Sequence, residues 1–259
     1  MKNKKESDLQ RFRDFLGKIP LVKYREELKD IKWVEQDLPK EILPLRSIYK
    51  YYWEKREFLD FEEWFEKFWR EINEDQESKK ALEGFKKYYF NRTLKENDWF
   101  KKGFKARMYR TWISILTQLD FCYIFEYVCE KEGKNFKIEC NAELDMKGID
   151  AKVGEIYFQI AKITHRKEAR PGKRKMKIIQ VPYAVFNVEE FQKKIQSPRT
   201  KNREKYRKLL QAFEKYFDVL ENGFVVFKES YVKIIVESIE NPEILQKEID
   251  KILKELEGS

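Results

Sequence analysis

Apolar residues between positions 105 and 130 recur at intervals of three and four: Met108, Trp112, Ile115, Leu116, Leu119, Cys122, Tyr123 and Tyr127. That period predicts one long helix buried along a single side. The same spacing in Trp64, Phe65, Phe68 and Trp69 predicts a helix over residues 61–72, with the aromatic stripe read as core packing rather than as a platform for stacked bases. Shorter helices are expected over residues 7–16 with Ser7 as cap, over 21–30 beyond the break at Pro20, and over 47–53. Around Gly133 the period changes to alternation, which predicts strands over 136–140, 149–153, 156–163 and 178–182. Helices return over 188–195 and 204–220, Asn222-Gly223 turns the chain into a strand over 224–227, and a last helix covers 242–257. Helices, a small mixed sheet and more helices give an α/β (α+β) plan in a single domain of residues 1–259, mainly helical to residue 132 and sheet-bearing beyond it.

Composition narrows the function classes. The 259 residues carry 39% charged and 15% aromatic side chains, enough to bury a full core beneath a surface rich in Lys and Glu, a surface also typical of heat-stable proteins. The formal net charge of +9 favours phosphate-bearing partners. Cys122, Cys129 and Cys140 lack C-x-x-C spacing and His165 is the only histidine, so a zinc site or a histidine-based triad is hard to assemble. The sequence has neither a leader nor an apolar run long enough for a bilayer, and with unpaired thiols this points to a cytoplasmic protein with no membrane partner.

Candidate chemistry lies in Gly148-Ile149-Asp150-Ala151-Lys152-Val153 and in Tyr157-Phe158-Gln159-Ile160-Ala161-Lys162-Ile163. Asp150 enters one apolar strand, and a carboxylate at a sheet rim suits Mg²⁺ held beside a phosphate. On the second strand alternation puts Gln159 and Ala161 on one face, with Phe158, Ile160 and Lys162 on the other. The Gln159 amide oxygen and the Ile160 carbonyl are further candidate metal ligands. Upstream, Glu143 and Asp145 add carboxylates, read either as solvated turn residues or, more strongly for Asp145, as ligands. The densest basic run follows the second strand, and His165, Arg166, Arg170, Lys173, Arg174, Lys175 and Lys177 are candidates for DNA contact. Lys105, Arg107 and Arg110, on the first turns of the long predicted helix, are read either as solvated or as facing phosphate.

These segments, with Thr117-Gln118, Phe121-Cys122-Tyr123, Ala106-Arg107-Met108-Tyr109-Arg110-Thr111 and Glu221-Asn222-Gly223-Phe224-Val225, resemble the TaqI family of type II restriction endonucleases, members of the PD-(D/E)xK nuclease superfamily. The resemblance implies a restriction-endonuclease-like sheet core and a homodimer that uses Mg²⁺ to cut double-stranded DNA at the palindrome TCGA, leaving 5′ overhangs and 5′-phosphates. It places the family's essential aspartates on Asp145 and Asp150 and its Gln-Ile-Lys-Lys run on Gln159-Ile160-Ala161-Lys162. Ala161 therefore stands where the family has a lysine that orients the nucleophile and offsets charge. A lone departure in an otherwise complete set is better explained by a deliberate Lys→Ala replacement, of the kind made to trap an intact DNA complex, than by drift. The alternative is a natural DNA-binding protein that kept the fold and lost the chemistry.

Overall fold

A computed structural model describes residues 4–24, 27, 37–90, 97–163, 178–186, 188–197 and 199–258. Helix α1 (Lys4–Leu16) buries Leu9, Phe12 and Leu16 and begins before Ser7, which lies inside it instead of capping it. Residues 21–24 form a turn, and the rest of the helix expected to 30 lies almost wholly outside the described residues. After a single 3-10 turn at Lys40–Ile42, α2 (Leu45–Tyr49) runs on into a π-helical turn, Lys50–Glu54. Helix α3 (Phe61–Glu74) starts where Asp60 accepts the Glu63 N–H at 2.9 Å, an N-cap that satisfies one otherwise unpaired donor.

Helix α4 (Gln76–Phe90) has no clear signal in the sequence, because few of its side chains, Leu82 and Phe85 among them, are buried and its charges dilute any apolar period. Helix α5 (Asn97–Lys131) extends the long predicted helix at its start to 35 residues. Then come β1 (Ile138–Glu139), a short helix α6 (Ala142–Asp145), β2 (Ala151–Val153), β3 (Ile156–Lys162) and β4 (Ile178–Tyr183). The chain continues through α7 (Val188–Gln196), α8 (Arg203–Tyr216), β5 (Phe217–Val219), β6 (Val225–Phe227), α9 (Glu229–Ser238) and α10 (Pro242–Glu257). The helix expected to Leu220 stops at Tyr216, since Phe217, Asp218 and Val219 pair with Phe227, Val226 and Val225 across the turn at Gly223. In this turn Asn222 accepts the Phe224 N–H at 3.0 Å, and its amide donates to the Leu16 carbonyl at 2.7 Å. Helix α9, absent from the expected elements, buries Tyr231, Val232, Ile235 and Val236 at helical spacing.

The chain separates into two compact units, Lys18–Leu116 and a discontinuous one made of residues 1–17 and Thr117–Ser259, so the boundary falls within α5. The first is helical. Its core is aromatic: Tyr49, Tyr52, Trp64, Phe65, Phe104 and Trp112 are fully buried, and Phe61 meets Tyr109 edge-on at 4.7 Å. Trp64, Phe65 and Phe68 therefore serve packing, as their spacing implied.

The second unit holds the mixed sheet, in the order β1-β2-β3-β4, with β3 antiparallel to β2 and parallel to β4. Register aligns Ala151, Phe158 and Ile179, all buried, and the Phe121 ring of α5 lies 5.7 Å from that of Phe158. The apolar face of the sheet thus packs on α5.

This part of α5 is also tied down by charge. Asp120 is fully buried, and its carboxylate accepts from Arg13 Nε at 3.0 Å and from the Phe227 N–H at 2.8 Å, while Arg13 Nη2 donates to the Phe227 carbonyl at 2.5 Å. Burial pushes the Asp120 carboxyl up from its ordinary pKa, and the guanidinium and the N–H oppose that push. Such a pair is costly to break singly, because the remaining charge stays buried. Arg13→Ala is expected to lower stability by about 3–5 kcal/mol in urea unfolding. Replacing Arg13 and Asp120 together by Met and Leu should recover most of that loss; a loss no larger than that of an exposed arginine would show that the pair does not hold the unit together.

Candidate active site

Asp150 sits just ahead of the β2–β3 ladder, which runs from Ala151 opposite Phe158 to Val153 opposite Ile156. The expected strand thus starts at Ala151 rather than at residue 149. Its approach is set by Gly148, whose φ of +76° favours glycine, and by a bond of the Asp150 N–H to the Phe158 carbonyl at 2.9 Å. Only 5% of Asp150 is exposed. Both carboxylate oxygens are engaged: Oδ2 accepts the Ile160 N–H at 2.6 Å, and Oδ1 accepts Gln118 Nε2 of α5 at 2.9 Å. A carboxylate here takes over the role of a backbone acceptor and ties the loop before β2 to the middle of β3.

These donors are neutral. Burial, reinforced by the nearby charge of Asp145, pushes the Asp150 carboxyl up to about 8, and the Ile160 N–H only partly opposes this. Asp145 ends α6, the short helix capped by Asn141, which accepts the Leu144 N–H at 2.9 Å. The sequence reads Asp145 as a turn residue or a ligand; a helical turn presents it, half-buried and close enough to raise the Asp150 pKa. Glu143, in the same helix, is exposed.

On β3, Gln159 aligns with Gln180 and Ala161 with Pro182 of β4. Gln159 Oε1 receives Gln180 Nε2 at a long 3.5 Å. Ala161 is half-buried and Lys162 exposed, opposite Tyr183. By strand alternation Lys162 shares the face of Phe158 and Ile160, away from Gln159 and Ala161.

The available donors are oxygens: the carboxylates of Asp145 and Asp150, the amide of Gln159 and the carbonyl of Ile160. Among the described residues no group of three or more His, Cys, Asp and Glu side chains is placed to hold a metal. Two carboxylates raising one another's cost, supplemented by neutral oxygens, nevertheless fit a hard divalent cation, which removes the repulsion between them. Gln118 Oε1 is buried with no hydrogen-bond partner among the described residues, although its amide nitrogen is bound to Asp150.

Gln118 is a site residue that the motifs of the sequence do not single out. The signal that marks its position is the Thr117-Gln118 pair in the family resemblance. Of the other candidates, Lys105, Arg107 and Arg110 belong to the helical unit. There Lys105 and Lys23 are both ion-paired to Glu62, which also accepts the Tyr24 hydroxyl at 2.7 Å. Burial pushes the Glu62 carboxyl up, but the bonds from Lys105, Lys23 and Tyr24 outweigh it and hold the pKa at about 2. Arg107 is half-buried and Arg110 exposed. His165, Arg166, Arg170, Lys173, Arg174, Lys175 and Lys177 lie outside the described residues. No described helix is long and apolar enough to cross a membrane.

A small mixed sheet with paired aspartates at one strand end, packed on a long helix, is a restriction-endonuclease-like arrangement. The sequence profile of the TaqI restriction endonuclease family matches residues 9–239, and the chain belongs to that family. It is 36% identical over 239 residues to the type II restriction enzyme TthHB8I of Thermus thermophilus, covering 87% of this chain and 85% of that protein. Against the type II restriction enzyme TaqI of Thermus aquaticus the identity is 36% over 241 residues, covering 88% and 86%. No solved structure gives a significant match.

The raised pKa of Asp150 carries a pH signature. Unfolded, the carboxyl ionises near 3.8; folded, it ionises near 8, so between these values unfolding releases a proton and stability falls as pH rises. In EDTA, Asp150→Asn is expected to be more stable than the parent by an amount that grows by about 1 kcal/mol per pH unit across that window and levels off above it. Equal pH dependence of the two proteins in chemical denaturation would show that Asp150 is not the group responsible.

Proposed function

We propose that the chain is a type II restriction endonuclease scaffold that binds double-stranded DNA at TCGA as a homodimer and hydrolyses a phosphodiester with Mg²⁺. The observation that carries this reading is the buried Asp150, held by the Ile160 N–H at 2.6 Å and coupled to Asp145, in a chain whose relatives are type II restriction enzymes. Asp145, Asp150, Gln159 and the Ile160 carbonyl would hold the cation. When bound, it offsets charge that builds on the phosphate oxygens and acidifies an attacking water. A two-fold protein reading a two-fold palindrome uses one set of contacts twice. The whole of residues 1–259 serves this one activity in our reading, since the family match runs through both compact units.

Residue 161 is the weak point. Its methyl group has no polar proton to orient a nucleophile and no charge to set against the transition state, and Lys162 is on the wrong face to replace it. We read the chain as a catalytically impaired form in which alanine replaces the motif lysine, with DNA recognition intact. His165, Arg166, Arg170, Lys173, Arg174, Lys175 and Lys177 would contact DNA next to the site, because they follow β3 directly in the chain.

Ala161→Lys is expected to raise Mg²⁺-dependent cutting of a TCGA duplex by roughly 10² to 10⁴ fold. In that background Asp150→Ala should abolish cutting while leaving duplex binding largely in place. Persistent inactivity of Ala161→Lys, with binding retained, would favour a natural DNA-binding protein over an enzyme. Neutralising Lys173, Arg174 and Lys175 should weaken TCGA binding and flatten its salt dependence, with a slope smaller by about 0.9 for each phosphate no longer neutralised. Unchanged affinity and slope in gel shifts would remove this segment from the interface.

A further inference from the structure

The long helix beside the sheet supplies more to the site than packing. Gln118 Nε2 donates to Asp150 Oδ1 at 2.9 Å, while Gln118 Oε1 is buried without a hydrogen-bond partner among the described residues. The two atoms belong to one planar amide, so fixing the nitrogen against Asp150 fixes the direction of the oxygen. With a cation bound, the Asp150 carboxylate is an acceptor only, so the amide nitrogen is the atom that faces it and the oxygen is left for another partner. A buried carbonyl oxygen left unpaired is costly, and such atoms in folded proteins usually have a partner.

The setting of Gln118 is rigid. Two residues further along α5, the buried Asp120 is bonded to Arg13 and to the Phe227 N–H, and Phe121 packs on Phe158. These contacts hold the backbone of this part of the helix in place beside Asp150.

We infer that Gln118 is a member of the cation site: its amide nitrogen positions Asp150, and its oxygen is a neutral donor to the divalent cation that Asp150 binds. This rests on the reading of Asp145 and Asp150 as cation ligands. It adds a residue on α5 to a donor set otherwise drawn from the segment of α6 to β3. The carboxyamide contributes no charge, so it adds a ligand without adding to the repulsion between Asp145 and Asp150.

The test measures Mn²⁺ binding to the full chain, with unbound Mn²⁺ counted by electron paramagnetic resonance, for the parent and for Gln118→Leu, Gln118→Glu and Asp150→Asn. Gln118→Leu is expected to weaken binding about 10-fold to 100-fold, the range seen when groups that orient metal ligands are removed. Gln118→Glu separates the two roles. It has no N–H for Asp150 but offers an oxygen with charge, so a donor role predicts binding clearly tighter than that of Gln118→Leu, whereas a purely structural role predicts a loss equal to that of Gln118→Leu. Unchanged binding by Gln118→Leu, or equal losses by both Gln118 variants, overturns the inference. Asp150→Asn is the control: if it too binds Mn²⁺ like the parent, the cation-site reading itself fails, and if it alone loses binding, only the role of Gln118 falls. Should Gln118→Leu fail to fold, Gln118→Ala takes its place in the same comparison.

Discussion

The carboxylate of Asp120 fixes the geometry on which the site depends. It is fully buried, and it joins α1 through Arg13 and β6 through the Phe227 N–H to the middle of α5. These contacts oppose rolling of the helix. Its neighbouring side chains, Phe121 against Phe158 and Gln118 against Asp150, are thereby aimed at the sheet with little freedom left to adjust. The site is thus positioned from the core outward.

Asp150 itself is in an electrostatically unfavourable place. Among the described residues its hydrogen-bond donors carry no charge, and the charged group that acts on it is another carboxylate. An isolated fold has no reason to accept such an arrangement, since an apolar side chain would be cheaper to bury. Sites of this kind gain from what they bind. On the proposed reading a bound cation would offset this cost, and the helix and sheet would keep the two carboxylates from swinging apart.

Much of this is legible in the chain, for reasons that differ by element. The dense apolar period of α5 and the alternation along β3 are local signals, and both elements appear where the pattern puts them. Helix α10 is equally plain: Asn241 accepts the Glu243 and Ile244 N–H groups, Pro242 opens the helix, and the apolar residues fall on one face. Strand β5 is hidden, because Phe217 and Val219 continue the apolar spacing of α8 and only pairing with β6 makes them extended. Helix α6 is too short to have a period, so Asp145 reads as a loop residue. Asp150 is visible as a motif, but its burial and its bond to Gln118 are not. That bond spans 32 positions, and nothing local to residue 118 announces it.

The discontinuous unit has a consequence for how the protein comes into being. Residues 1–17 belong with residues 117 onward, and the bond from Arg13 to the Phe227 carbonyl spans 214 positions. During synthesis the first helix therefore emerges long before its partners and waits while the helical unit is made. Asp120, and with it the orientation of α5, is fully fixed only once β6 has left the ribosome. The anchor that orients α5 therefore closes 214 positions after Arg13 has been made.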